Sequence, residues 1–266
     1  MIVDGRAIAE DIYKELSVRR AKFAHAPRLG IIVAGHDPVI ESFVGIKTRA
    51  AQNLGVEIQR LDADKDVNTE QMMTLVQKLT PEVDAIIVQL PLPKSADVNA
   101  VLSAIPDDKD VDALSTASGD HLVEAPVARA IVEILSRSQV ELKGRRAVVI
   151  GGGRLVGAPT AKLFKKLGAD VSMFTLEEGS IEDLKTADIV VCGAGNPGFI
   201  KPEHLKRGVA LIDAGASEQA GKVVGDCDPT CADIAAVFTP VPGGVGPVAV
   251  AMIFKNLFDL IEKSNS

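Results

Sequence analysis

The first half of the chain contains a lysine that is placed to act as a proton carrier. Phe43 and Lys47 lie four residues apart in a predicted helix, so their side chains share one face. Lys47 follows Ile46 within an otherwise apolar stretch. A lysine that loses water in a cleft has a lowered pKa and can take or give a proton. The pattern also fits a surface lysine whose stem packs while its ammonium group stays in water.

A polar amide follows in the next buried strand. Gln89 sits at the carboxyl end of the predicted strand 84–90, which Pro91 and Pro93 terminate. Ligands meet open α/β sheets at the carboxyl ends of their strands. This position therefore suits a group that orients Lys47 or a substrate, although a glutamine that only caps backbone groups also fits.

Two acids provide a further candidate. Asp110 and Asp112 flank Val111, and in an extended stretch their side chains point to opposite faces. We expect one to face a cleft and the other to close a turn. For either acid taken alone, a solvated side chain is the alternative.

A glycine turn follows the apolar run 147–150 and precedes a helical pattern. Strand, glycine turn and helix open a dinucleotide-binding βαβ unit, because glycine permits a sharp turn and close approach to a pyrophosphate. The N–H groups of the new helix then face that anion. The spacing from Gly151 through Gly153 to Gly157 is one residue longer than the commonest fingerprint. A tight turn without a ligand is the alternative.

The strand after this turn carries a candidate ribose ligand. Glu177 follows the apolar run 171–174 and lies 20 residues after Gly157, near where a carboxylate binds a ribose diol. A surface glutamate is the alternative. A second anion-binding candidate is the proline-glycine segment 239–247, in which glycines permit close ligand approach before a helix begins.

Alternating strands and helices predict two α/β domains around a cleft, the C-terminal one a Rossmann-type parallel sheet. We expect a first domain at 1–125, completed by a C-terminal helix over 246–266, and a dinucleotide-binding domain at 126–245. A turn is predicted at 35–38, with a helix that follows it to about residue 54. The other predicted helices cover 7–23, 69–79, 96–104, 126–136 and 246–263, the first with Ile8, Ile12, Leu16 and Val18 toward a core. Predicted strands cover 29–33, 56–61, 84–90, 147–150, 170–174, 188–192 and 208–213.

Composition excludes several classes of protein. The formal net charge is −7 without a basic run, which argues against a nucleic-acid or membrane partner. No apolar run approaches the roughly 20 residues of a bilayer span. The N-terminus is not of the secretory type, and Cys192, Cys227 and Cys231 lack a metal-site partner set, so we expect free thiols, no bound metal and a cytoplasmic location.

Taken together, these segments resemble the bifunctional methylenetetrahydrofolate dehydrogenase/cyclohydrolase family over nearly the whole chain. The matching motifs are Phe43–Lys47, Ile87–Pro93, Lys109–Asp112, Arg154–Gly157 and Thr239–Pro247. The resemblance implies a two-domain enzyme with a deep cleft that forms a homodimer through its nucleotide domain.

The resemblance also implies a role for each matching residue. Lys47 would be the catalytic lysine, Gln89 would tune and position it, and Asp112 would hold the pterin ring. Position 43 is usually tyrosine, and Phe43 keeps the face that stacks on folate but loses the hydroxyl. Substrate contacts in the proline-glycine segment would come from Pro242, Gly243 and Gly244.

The implied reactions are two steps of one-carbon metabolism on tetrahydrofolate derivatives. The dehydrogenase step moves a hydride from the methylene bridge of 5,10-methylenetetrahydrofolate to a nicotinamide cofactor. The cyclohydrolase step adds water to the methenyl product and gives 10-formyltetrahydrofolate. Lys47 is the natural proton handler for that addition, whereas hydride transfer depends on placement of the reactants.

The sequence departs from the family pattern at the dinucleotide. The family usually has Gly-Arg-Ser at 151–153, and His-Ser at 175–176, where this chain has Thr-Leu. The missing Arg and Ser would hold a 2′-phosphate, and Glu177 would repel it, so we predict that NAD is preferred to NADP. The predicted cofactor residues are Gly151, Gly152, Gly153, Arg154, Leu155, Val156, Thr175 and Glu177.

Further differences from the family's sequence pattern are compatible with other functions. The family's Pro-Cys-Thr-Pro segment is replaced at 122–127, and its Met-Thr by Val248-Ala249. A cyclohydrolase without the redox step, or a non-catalytic folate- or nucleotide-binding protein, therefore stays an alternative. Retention of Lys47 argues against the binding protein, since pure binding needs no desolvated lysine.

Overall fold

The computed structural model describes residues 1–115, 121–175, 178–219 and 221–264. They form two compact units, which we name by their main sheets. The three-stranded unit comprises Asp11–Pro126 and Val250–Ser266, and the five-stranded unit comprises Met1–Glu10 and Val127–Ala249.

The chain alternates helices and strands. The helices are α1 (Gly5–Arg20), α2 (Pro38–Leu54), α3 (Thr69–Leu79), α4 (Val98–Ser103), α5 (Pro126–Arg137), α6 (Gly157–Lys166) and α7 (Val245–Ser264). The strands are β1 (Arg28–Ala34), β2 (Glu57–Ala63), β3 (Ala85–Val88), β4 (Arg146–Ile150), β5 (Asp170–Phe174), β6 (Ile189–Cys192), β7 (Ala210–Asp213), β8 (Ser217–Gln219), β9 (Lys222–Val224) and β10 (Val237–Phe238).

The three-stranded unit has a parallel sheet in the order β2-β1-β3. β1 and β3 are buried apart from the first residue of β1, as expected for apolar strands that helices cover. Since the chain passes from β1 to a neighbour on either side, the strand order reverses at β1. The carboxyl edge between β1 and β3 is therefore where an open sheet of this type binds ligands.

The five-stranded unit has a parallel sheet in the order β10-β7-β6-β4-β5. Its strand order reverses between β4 and β6, so the loops after these two strands border the expected ligand position. A separate antiparallel hairpin pairs β8 with β9. None of the helices in the described ranges has the length and apolar character needed to cross a membrane.

The predicted α/β class and parallel sheets are confirmed, and α3 has the predicted bounds. Helix α2 ends at Leu54 as predicted but begins at Pro38, within the predicted turn. The prediction that Val18 faces the core is wrong, since its side chain is 66% exposed. β8, β9 and β10 were not predicted, because two or three residues are too few to show a period. Residues 1–10 were assigned to the first domain but lie in the five-stranded unit, where Val3 N–H donates to Phe238 O.

Candidate active site and dinucleotide site

Helix α2 presents Lys47 from a well-capped element of the three-stranded unit. The Asp37 carboxylate caps the helix by accepting hydrogen bonds from two backbone N–H groups, and Gly55 ends it with a φ of 63°. Val44 and Ala51 belong to the buried face, and Lys47 lies one turn from each of them. Lys47 is consequently half-buried, as its position within an apolar stretch indicated.

Gln89 meets Lys47 at the carboxyl end of β3. The Gln89 N–H donates to Ile32 O at 2.9 Å and so extends the sheet by one residue. Its side-chain amide donates to Leu90 O at 2.9 Å, which leaves Oε1 directed at the lysine. Lys47 Nζ donates to Gln89 Oε1 at 2.6 Å. The structure thus brings together two residues that are 42 positions apart in the chain.

The charges around this pair are partly desolvated. Burial lowers the pKa of Lys47, and the negative charge of Asp112 opposes that shift. Burial raises the pKa of Asp112 to about 6, against the effect of Lys47 and with a further contribution from Asp110. A lysine with a lowered pKa beside a carboxyl group with a raised pKa is an arrangement suited to proton transfer near neutral pH.

Asp110 and Asp112 flank a turn residue, Val111, and not an extended one. Asp110 is 2% exposed, and its carboxylate accepts from Leu114 N–H at 2.8 Å and Ser115 N–H at 2.7 Å. These bonds close a turn in which Ala113 has a φ of 53°. Asp110 is therefore the turn-forming acid, and Asp112 is the one near Lys47.

An asparagine on α7 holds the same segment. Asn256 is fully buried, and its side-chain amide donates to Val111 O at 2.8 Å and to Glu124 O at 2.9 Å. Two backbone carbonyls on either side of residues 112–123 are thereby tied to one helix. Asn256 was not predicted from the sequence, in which its only signal is a polar side chain within an apolar helical pattern.

Phe43 lies on α2 one turn before Lys47 and is 46% exposed. Val39 and Ile46 are also exposed on this helix, at 45% and 39%. Large apolar side chains that remain accessible next to a polar site offer a surface for an aromatic or apolar part of a ligand.

The glycine turn of the five-stranded unit needs its glycines for two separate reasons. Gly151 has a φ of 91°, and a Cβ on Gly157 would lie 1.7 Å from Gly151 O. These two residues therefore fix the turn itself. A Cβ on Gly153 would meet nothing within 4 Å, and one on Gly152 would meet only the Thr175 methyl group, at 3.7 Å. Gly152 and Gly153 thus border open space, as expected where a ligand approaches.

The start of α6 suits an anion less completely than the sequence suggested. No side chain in the described part of the protein caps this helix. Ala158 N–H already donates to Gly153 O at 3.1 Å, and Pro159 has no N–H. Contacts to a pyrophosphate must therefore come chiefly from the turn that precedes the helix. The open glycines and uncapped helix end fit a dinucleotide.

The remaining predicted cofactor residues differ in setting. Arg154 and Leu155 are exposed, whereas Val156 packs in the turn, with its side chain within 3 Å of where a Cβ on Gly193 would lie. Thr175 lies beside Gly152, at the end of β5. Glu177 lies outside the described residues.

The proline-glycine segment also belongs to the five-stranded unit. Gly243 has a φ of 107°, and Gly244 N–H donates to Pro240 O at 2.7 Å. A Cβ on Gly244 would lie 2.6 Å from that same oxygen, so only glycine fits there. Pro242 is exposed, Gly243 is half-buried, and α7 begins at Val245, within the segment.

Two buried acids lie near the carboxyl edge of the five-stranded sheet. Asp213 and Asp226 are each 1% exposed, and together they accept hydrogen bonds from six backbone N–H groups. The three cysteines are buried free thiols. Among the described residues, no group of three or more His, Cys, Asp or Glu side chains is placed to hold a metal.

A parallel α/β unit with an open glycine turn, and a second such unit with a desolvated lysine, define an enzyme class that pairs proton chemistry with a nicotinamide dinucleotide. Family models agree. Residues 3–112 match the catalytic domain of tetrahydrofolate dehydrogenase/cyclohydrolase, and residues 125–265 match its NAD(P)-binding domain. The chain belongs to the tetrahydrofolate dehydrogenase/cyclohydrolase family.

Individual relatives resemble the chain over its full length. The bifunctional protein FolD of Methanoculleus marisnigri is 35% identical, covering 97% of this chain and 95% of the relative. The bifunctional FolD structure from Campylobacter jejuni has a TM-score of 0.93 at 26% identity and covers 99% of both chains. The Trypanosoma brucei FolD structure, complexed with NADP and an inhibitor, has a TM-score of 0.91 at 33% identity and covers 100% of this chain and 98% of its own.

The resemblance inferred from the motifs is thereby confirmed. The protein is a methylenetetrahydrofolate dehydrogenase/cyclohydrolase of one-carbon folate metabolism, with folate substrates and a nicotinamide cofactor.

Proposed function

We propose that Lys47 is the proton carrier of the cyclohydrolase step and that Gln89 and Asp112 set the orientation and protonation of its amine. The observation that carries this proposal is the 2.6 Å hydrogen bond from Lys47 Nζ to Gln89 Oε1 in a partly desolvated site. Gln89 fixes the direction of the ammonium or amine group without adding charge. Asp112 supplies a carboxyl group near the lysine, and it would also bind the polar edge of the pterin ring.

The proposed hydrolysis proceeds through the neutral form of Lys47. Water forms a C–O bond to the methenyl carbon, and Lys47 Nζ accepts the proton that the water loses. The hydroxyl oxygen of the adduct then forms the formyl C=O bond as the C–N bond to one folate nitrogen breaks. The protonated lysine gives its proton to that nitrogen, and the hydroxyl proton passes to solvent, so that one proton is released for each water consumed. Phe43 would stack on the aromatic part of the folate. Pro242, Gly243 and Gly244 would supply further substrate contacts.

For the dehydrogenase step, the chain's contribution is binding and placement. A nicotinamide cofactor held there would supply the acceptor for the hydride of the methylene carbon. The glycine turn from Gly151 to Gly153, followed by Arg154, Leu155 and Val156, would hold the pyrophosphate. Thr175 and Glu177 would lie at the adenosine ribose.

We propose that this turn prefers NAD to NADP. Gly152 and Gly153 carry no side chain for a 2′-phosphate where the family usually has Arg and Ser, and Glu177 would add negative charge. The relative from Trypanosoma brucei was solved with NADP, so the family does accept the phosphorylated cofactor. The proposed preference for NAD results from the residues that this chain has at positions 152, 153 and 177.

The deciding experiment follows reduced nicotinamide with 5,10-methylenetetrahydrofolate as substrate and with NAD and NADP in parallel. We expect a higher kcat/KM with NAD, and a Gly152→Arg, Gly153→Ser variant should shift that ratio toward NADP. Comparable rates with both cofactors would overturn the preference and leave the assignment of the reaction intact.

A cyclohydrolase without the redox step is the second candidate. It is favoured by the altered glycine turn and by the start of α6, where the Ala158 N–H is already hydrogen-bonded and Pro159 has no N–H to offer an anion. Hydrolysis of methenyltetrahydrofolate without binding of either dinucleotide would establish it. Absence of hydrolysis as well would favour a non-catalytic binding protein.

We also propose that the protein is a homodimer and binds no nucleic acid. The dimer follows from the resemblance, and the absence of nucleic-acid binding follows from the net charge of −7. Sedimentation equilibrium tests the first proposal, and a monomer at micromolar concentration would contradict it.

A further inference from the structure

The carboxylate of Asp226 organises an exposed loop from within the protein. Its Oδ2 accepts from Ala194 N–H at 2.7 Å and Gly195 N–H at 3.1 Å, and its Oδ1 accepts from Asn196 N–H at 2.7 Å. Residues 194–196 are exposed, whereas Asp226 is 1% exposed. One buried charge therefore holds three consecutive amides of a surface loop. Hydrogen bonds to a charged group are among the stronger ones.

Asp213 fixes Asp226 in turn. Its carboxylate accepts from Asp226 N–H at 3.1 Å and from Cys227 N–H at 2.8 Å on one side. On the other side it accepts from Gly215 N–H at 3.0 Å. The Asp213 N–H itself donates to the Thr239 hydroxyl at 2.7 Å. The two acids thus form a relay of hydrogen bonds from the end of β7 to the loop after β6.

The local sequence leaves room for both carboxylates. A Cβ on Gly215 would lie 2.3 Å from Asp226 Cγ, and a Cβ on Gly225 would lie 2.1 Å from Asp213 Oδ2. Any side chain at either glycine would displace an acid. An ordinary turn acid does not need such a cavity, so the two glycines mark a built arrangement.

The loop lies against the glycine turn. A Cβ on Gly151 would be 2.7 Å from Gly193 O and 3.1 Å from Ala194 Cα. The loops after β4 and β6 therefore touch at the point where the strand order reverses. Since the amides of residues 194–196 point at Asp226, the loop gives a bound ligand no N–H from these three residues.

We propose that Asp226, supported by Asp213, is a positioning residue that holds the 194–196 loop as one wall of the dinucleotide site. Its loss then weakens dinucleotide binding while the folate chemistry at Lys47 continues. Three backbone N–H groups of the loop donate to the two carboxylate oxygens, so a side-chain amide in place of the carboxylate cannot accept all three hydrogen bonds. Asparagine has a single acceptor oxygen, and its NH₂ group would face backbone donors.

The test compares Asp226→Asn with Asp228→Asn. Asp228 is two residues away, and its carboxylate bonds only locally, to Thr230 N–H and the Thr230 hydroxyl, in the described structure. Calorimetry gives Kd for NAD and NADP, and the two assays give KM for dinucleotide and kcat/KM for methenyl hydrolysis. For Asp226→Asn we expect dinucleotide Kd and KM to rise about tenfold or more, as for a lost charge-assisted bond, with hydrolysis within about twofold of the unaltered protein. Asp228→Asn should change neither.

A second variant leaves the carboxylate in place. Gly195 has a φ of 69°, so Gly195→Ala strains the loop alone and should raise dinucleotide Kd in the same way. It decides the question if Asp226→Asn does not fold. Normal dinucleotide affinity in the folded variants would overturn the inference, as would a parallel fall of both activities. If the unaltered protein binds neither dinucleotide, the proposed dehydrogenase function fails and this inference fails with it.

Discussion

Lys47 donates a 2.6 Å hydrogen bond to the side-chain oxygen of Gln89, and both groups stand at the carboxyl edge of the three-stranded sheet. The bond gives the lysine one defined direction. It does so with a neutral partner, so the pKa of Lys47 stays below its usual value because burial is not offset by a touching carboxylate. A charged partner would hold the proton on the lysine.

Replacing the lysine tests its role as proton carrier. Lys47→Met keeps the length of the side chain and removes the amine, so methenyl hydrolysis should fall by about 10²–10⁴-fold in kcat. Dinucleotide Kd, measured by calorimetry, should not change. Lys22→Met, at an exposed position, is the matched control. Hydrolysis by Lys47→Met at close to the normal rate would show that another group moves the proton.

Adding charge to the partner should move the pH profile. In Gln89→Glu a carboxylate replaces the amide beside Lys47 and raises the lysine pKa, because an adjacent negative charge favours the protonated form. Because the neutral amine is the active form, the rising limb of log kcat/KM for hydrolysis should shift to higher pH. Gln52→Glu, on the exposed side of the same helix, should leave the profile in place. A shift to lower pH would contradict the proposed base.

The ionised Asp112 carboxylate should lower the free energy of unfolding of the protein. Its pKa is about 6 in the folded protein, against about 3.9 in an unfolded chain. The folded state therefore binds more protons between these values, and the free energy of unfolding falls as pH rises through that window. Asp112→Asn removes this cost and should stabilise the protein by up to about 3 kcal/mol at pH 8, with little difference below about pH 4.

Urea denaturation across pH measures this effect. Asp108→Asn, at a nearby exposed acid, should change the free energy of unfolding by less than about 0.5 kcal/mol. The stabilised Asp112→Asn variant should nevertheless lose folate turnover. An Asp112→Asn protein that is less stable at pH 8 than at pH 4, relative to the unaltered chain, would refute the raised pKa.

Lys47 and Gln89 could be singled out from the sequence as candidate site residues because both belong to or directly follow regular secondary structure. Lys47 fell within the apolar period of a helix, and Gln89 stood at the end of a buried strand. The path of the chain between Asp110 and Asp112 was not predictable in this way. It depends on a carboxylate that accepts backbone N–H groups four and five residues ahead, which no period reveals.

The structural role of Asp213 and Asp226 could not be predicted from the sequence for the same reason. A buried acid that is satisfied by backbone amides has the same sequence appearance as a solvated turn acid, since Gly and Asp are common in both. The distinction lies in the space that Gly215 and Gly225 leave for the carboxylates. Only the three-dimensional structure shows it.

Asn256 offers a test of how α7 supports the Asp112 segment. Asn256→Leu leaves the carbonyls of Val111 and Glu124 without their side-chain donor, which should lower the free energy of unfolding by about 2–4 kcal/mol. KM for the folate substrate should also rise, because the segment that carries Asp112 loosens. Asn53→Leu, at an exposed helical position, should do neither. Full stability of Asn256→Leu in urea denaturation would mean that these two bonds contribute little.

Phe43 provides the last prediction, which separates binding from stability. Its ring is 46% exposed, so Phe43→Leu should change the free energy of unfolding by less than about 1 kcal/mol. If the ring stacks on folate, the variant should raise KM for methenyltetrahydrofolate by about 3–10-fold, and Phe43→Tyr should keep it low. Val18→Ala, which truncates an exposed apolar side chain on α1, is the control. Unchanged KM in Phe43→Leu would show that α2 offers the substrate no aromatic contact at this position, and the apolar surface of the helix would then need another explanation.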